Sequence, residues 1–134
     1  MNQTIARRRM SIITLIPWSL TLIAYMILVH VTGLDMSGAV GYGFIGLGVA
    51  VLFVEFFKSG DINAAAFLVD IIGAVLSVVL ATLLMAYIYL EMQQQPTFFH
   101  WFGCAIILGD AILSPFNAFR TALRNLGLGV SAGV

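Results

Sequence analysis

Four stretches of the chain are apolar for long enough to cross a lipid bilayer, and only short polar breaks separate them. A helix rises about 1.5 Å per residue, so a hydrocarbon core about 30 Å thick needs about 20 consecutive apolar residues. Residues 11–32, 37–57 and 63–90 reach that length, and a fourth stretch begins at 97. The breaks contain turn formers: Gly33-Leu34-Asp35-Met36, Lys58-Ser59-Gly60-Asp61 and Glu91-Met92-Gln93-Gln94-Gln95-Pro96. Of 134 residues 61% are hydrophobic and 9% charged, with a mean hydropathy of +1.06, which leaves no length for a water-soluble domain. The expected fold is all-α: one polytopic membrane domain over residues 1–134 with four transmembrane helices.

The end of the fourth helix has two readings, because Ser114-Pro115 is both a kink in a span and an N-cap and first-turn pair. In one reading the helix continues to about Asn125. In the other, which periodicity favours, the span ends at Leu113 and an interfacial amphipathic helix covers about 115–126. There Phe116, Phe119, Leu123 and Leu126 share one face, and Asn117, Arg120, Thr121 and Arg124 share the other.

Basic residues give the orientation. With four spans, Arg7, Arg8, Arg9, Lys58, Arg120 and Arg124 all fall on one side, and the loops on the other side contain no Lys or Arg. The positive-inside rule then puts both ends in the cytoplasm and gives a multi-pass protein of the cell membrane, expected in a bacterial cytoplasmic membrane. The same asymmetry argues against a chain that inserts both ways. The first apolar run is longer than the core of a cleavable signal, so it is expected to be retained as a helix. Six basic residues balance six acidic ones, so no nucleic-acid partner is expected. Cys104 stands alone and cannot form an intrachain disulfide.

Two carboxylates interrupt the apolar runs. A charge at the centre of a span costs about 2.5–3.5 kcal/mol on insertion scales, so Asp70 and Asp110 each need compensation. Asp70 lies on a small and polar stripe with Asn63, Ala66, Gly73, Ser77 and Ala81, and Asp110 on one with Gly103, Ser114 and Asn117. If the fourth helix is continuous, the two aspartates are expected at comparable depth, where they could share a proton, bind an ion or bond helices together. Gly41, Gly48 and Glu55 repeat every seven residues and, with Gly73 and Gly103, mark close-packing faces. Glu55 is expected to pair with Lys58, three residues on. His30 and His100 stand at similar heights on two helices, a geometry that permits ligation of one haem iron.

No nucleophile elbow, phosphate loop or metalloprotease motif is present, so enzymatic chemistry is not expected. Three function classes remain, in this order. The chain is a subunit or assembly partner of a larger membrane complex; or an oligomeric ion or proton-coupled transporter or channel using Asp70 and Asp110; or a haem-binding redox anchor using His30 and His100. The expected partners are the lipid bilayer and other membrane subunits or further copies of the chain, with no cofactor required by the first two classes.

Overall fold

The computed structural model describes residues 16–57 and 64–125. They form four α-helices: α1 (Ser19–Val31), α2 (Gly38–Phe57), α3 (Ala64–Leu90) and α4 (Phe98–Asn125). The last three are long and apolar enough to cross a membrane, which points to a membrane-associated protein. The chain runs up, down, up and down. "Upper" here denotes the end carrying the 32–37 and 91–97 connections. Arg7, Arg8, Arg9, Lys58 and Asn63 lie outside the described residues, as does the Arg124 side chain, so the basic asymmetry rests on sequence alone.

The helix expected over 11–32 is interrupted at residues 16–18, and residues 11–15 lie outside the described residues. Pro17 has no N–H to donate and disfavours helical geometry in the residue before it, so Ile16 and Pro17 are non-helical and Trp18 is the N-cap. The 13 residues of α1 span only about 20 Å, less than the hydrocarbon core. At its other end Gly33 takes φ +68, and the Gly33 and Leu34 N–H groups donate to the His30 and Val29 carbonyls. This closes the helix with the left-handed residue that glycine adopts most easily.

The preferred reading of the fourth run is also corrected. No separate interfacial helix starts at Pro115; α4 passes through it without interruption. Proline removes one hydrogen bond from a helix, whereas ending the helix at Leu113 in apolar surroundings would leave up to four carbonyls without partners. Continuity therefore costs less. Phe116 and Phe119 point away from the bundle while Ala118 is buried, so the amphipathic pattern describes the lower part of one long helix.

α4 is the central element: it touches α1, α2 and α3, and α1 touches the other three, whereas α2 and α3 make no contact with each other. Leu22, Ile23, Met26 and Val29 form the inner face of α1 and meet Phe44, Val51, Ala81, Ile106 and Ile107 in the core. Aromatic rings seated on glycines lock α2 to α4. Phe99 lies against Gly41, Phe102 and Ile106 against Gly48, and Phe44 against Gly103. A methyl group added at Gly41 would stand 2.6 Å from the Phe99 ring, so this approach needs a residue without a side chain. On α3, Gly73 receives Pro17 in the same way.

The outward faces are almost wholly apolar. Leu68, Ile72, Val75, Leu83 and Leu90 on α3, and Phe53, Phe56 and Phe57 on α2, are each more than half exposed. A contiguous apolar surface of this extent is foreign to a water-soluble monomer and natural against lipid.

Candidate functional site

Five polar or charged residues are buried among the described residues: Ser19, Glu55, Ser77, His100 and Asp110. Four of them come one from each helix. Ser19 of α1 donates through Oγ to Ser77 Oγ of α3 at 3.1 Å, and the Ser77 hydroxyl donates to the Gly73 carbonyl at 2.8 Å. Glu55 of α2 accepts the Trp18 backbone N–H through Oε1 at 3.3 Å, directly beside Ser19. The carboxylate of one helix thus meets the start of another, where unsatisfied N–H groups and the helix dipole favour negative charge.

Helical rise gives the height of Asp110. It lies twelve residues after Phe98, about 18 Å below the top of α4, and Ser77 lies thirteen residues before Leu90, about 20 Å below the top of α3. The two are level. Because Gly41 meets Phe99, the tops of the parallel helices α2 and α4 are in register there. Glu55 follows Gly41 by fourteen residues and Asp110 follows Phe99 by eleven, an offset of three residues or about 4.5 Å. Ser19, Glu55, Ser77 and Asp110 therefore occupy a polar layer about one helical turn thick, inside an otherwise apolar bundle. Glu55 and Asp110 are each only 4% exposed. Asp110 Oδ1 accepts no hydrogen bond, although another interaction holds the residue.

Asp70 does not belong to this layer. It lies twenty residues before Leu90, about 30 Å from the top, and so about 12 Å below Asp110. It is half-buried. The comparable depth expected from sequence fails because the α3–α4 connection is tight and sets the register of the hairpin from its upper end. Ser114 and Asn117 continue the inward face of α4 below Asp110 and are also half-buried.

Glu55 makes a contact that sequence reasoning did not anticipate. Its seven-residue spacing from Gly48 and Gly41 already placed it on the packing face, but proximity to Lys58 suggested a surface ion pair. Lys58 lies outside the described residues, and Glu55 turns inward to the N-cap of α1. Ser19 was missed because the helix was expected to run through Pro17.

The histidines do come together. His30 Nε2 and His100 Nε2 are 3.0 Å apart, with the rings stacked at a centroid distance of 5.2 Å and an interplanar angle of 26°. The Thr97 backbone N–H donates to His100 Nδ1 at 3.0 Å. Two imidazoles on opposite sides of one iron hold their nitrogens about 4 Å apart, twice a metal–nitrogen bond of about 2 Å. The other nitrogen of His100 lies within reach of both the N–H and the hydroxyl of Thr97, at 3.0 and 2.9 Å. The pair as held is a hydrogen bond and does not fit haem ligation. Among the described residues no group of three or more His, Cys, Asp or Glu could hold a metal ion.

A cavity of about 520 Å³ opens between the upper halves of α3 and α4, lined by Val78, Thr82, Tyr89, Trp101 and Cys104 among others. It lies beside the polar layer and shares none of its four residues.

No family model matches the chain, and comparisons with curated proteins and with solved structures found no significant similarity. The functional reading therefore rests on the geometry above.

Proposed function

We propose that this chain is a multi-pass membrane protein with both ends cytoplasmic, whose four-helix bundle binds and passes a proton or small cation at the Glu55–Asp110 layer. The observation that supports it is the layer itself: two carboxyl groups, each 4% exposed, at heights within about one helical turn in an apolar interior. Carboxyl groups are costly in a membrane interior and characteristically mark ion pathways and proton relays there. The serine pair adds hydroxyl oxygens that can accept from a carboxylic acid, their own hydrogens being used between Ser19 and Ser77 and on the Gly73 carbonyl. The test is flux in vesicles reconstituted with the purified chain. Asp110→Asn and Glu55→Gln keep shape and hydrogen-bonding capacity, and each is expected to abolish proton or cation flux while insertion is retained. Flux equal to the parent in both variants would refute the reading.

A second reading, a subunit of a larger membrane assembly, is favoured by α2. Ala39, Gly43, Gly46 and Ala50 follow 4, 3, 4 spacing and are all exposed, and a side chain added at Gly46 would meet nothing. Such small-residue faces admit close approach of another helix. Gly46→Leu is expected to remove stoichiometric partners in a mild-detergent pull-down while the isolated chain melts as before; unchanged partners would count against it.

A further inference from the structure

The hydrogen bonds around His100 assign the protons of both imidazoles. A backbone N–H can only donate, so the bond from Thr97 makes His100 Nδ1 an acceptor, and the Thr97 hydroxyl, 2.9 Å from the same nitrogen, is then a second donor to it. A neutral His100 must then carry its hydrogen on Nε2, which lies 3.0 Å from His30 Nε2. That contact is a hydrogen bond only if His30 Nε2 is the acceptor, so His30 carries its hydrogen on Nδ1. The two rings are opposite tautomers, and one proton lies between them.

We propose that His30 and His100 form an acid-released clasp joining the top of α1 to the top of α4. The pair has two lone pairs left to protonate, and both are in use. A proton taken from water at His30 Nε2 would set N–H against N–H across the 3.0 Å contact. A proton taken at His100 Nδ1 would turn the Thr97 hydroxyl from donor to acceptor and leave the Thr97 N–H at the start of α4 without its partner. The first event opens the bond between α1 and α4, the second frees the N–H at the start of α4, and a doubly charged pair would also repel across stacked rings.

The surroundings supply no competing partner. The other titratable groups at this end are Asp35 in the first connection, Tyr42 on α2, and Tyr87, Tyr89 and Glu91 at the end of α3, all exposed. Tyr25 on α1 donates its hydroxyl to the Val40 carbonyl. None of these bonds to either imidazole. No Lys or Arg occurs among the described residues before Arg120, so no fixed cation competes. The Thr97 hydroxyl also lies 3.4 Å from the carbonyl of Met36 in the connection before α2, and its one hydrogen serves either that carbonyl or His100 Nδ1. The proposal does not depend on the transport reading.

The deciding experiment is nitrogen-15 NMR of the full chain in lipid nanodiscs, with both histidines labelled. Near neutral pH, His30 is expected to be protonated on Nδ1 and His100 on Nε2, and on acidification both signatures are expected to change in one step. The same tautomer on both rings, or two independent titrations, would overturn the clasp. Thermal unfolding gives a second readout. The parent is expected to lose stability as pH falls through the ordinary histidine range near about 6.5. The H30Q/H100Q double variant keeps an acceptor for Thr97 and cannot titrate there, so its melting temperature is expected to stay level over that interval. An equal fall in both proteins would show that acid acts elsewhere and would remove the proposal.

Discussion

At the upper end of the bundle, His100 accepts the N–H of Thr97, the residue immediately before its own helix; lower down, Glu55 accepts the N–H of Trp18, the N-cap of a different helix. The two buried titratable groups thus use the same resource, since only the start of a helix offers backbone N–H groups that the helix itself leaves unused. The arrangements differ in origin. His100 meets its donor through local spacing three residues along the chain, as the third residue of a capping box does. Glu55 meets its donor 37 residues away, through the packing of α2 beside a helix that Pro17 forces to start late. Asp110 stands in the middle of α4, where the backbone N–H groups of its own helix belong to the ladder, and a further interaction holds it.

Substitutions can separate the two arrangements from each other and from the packing that carries both. The largest effect is expected from Gly103→Leu, which drives a side chain into the Phe44 ring and should separate α2 from α4. A loss of about 1–3 kcal/mol or more is expected from such overpacking, read as unfolding in detergent. Retained stability there would mean that α2 does not hold Glu55 in place as described. Next comes Glu55→Leu, which leaves the Trp18 N–H buried without its acceptor and should cost about 1–3 kcal/mol. Glu55→Gln keeps an acceptor oxygen and should cost much less. Equal losses for Leu and Gln would show that charge rather than capping holds the residue. His100→Leu should cost about 1 kcal/mol, the size of a lost helix cap, with His100→Gln again milder. The smallest effect is expected from Ser77→Ala, about 0.6 kcal/mol, typical of one hydrogen bond between helices in a membrane protein. A much larger loss in that variant would tie Ser77 to Asp110 as well as to Ser19.

The legible part of the site followed from residue type and spacing. Asp110 is conspicuous because a carboxyl in an apolar run has no bland place to go, and Gly41, Gly48 and Glu55 advertise one face because seven residues nearly complete two helical turns. Asp70 was misread for a matching reason. It satisfies the same composition test, but its height relative to Asp110 depends on where the α3–α4 connection turns, and a hydropathy profile does not contain that register. His30 and His100 were paired correctly by height, while the chemistry of the pair depended on the orientation of one backbone N–H at Thr97.

The sequence by itself determined that the chain is helical and rich in membrane-length apolar runs, and close to where α2 and α4 begin, because such runs and polar breaks are one-dimensional properties; it expected four spans, and three of the described helices have the length. Only the tertiary structure decided that α1 starts at Ser19 against α3, that α4 runs on through Pro115, and that Glu55 rather than Asp70 shares a layer with Asp110. Those outcomes turn on which unsatisfied backbone groups meet which side chains across helices, and that is a property of packing in three dimensions.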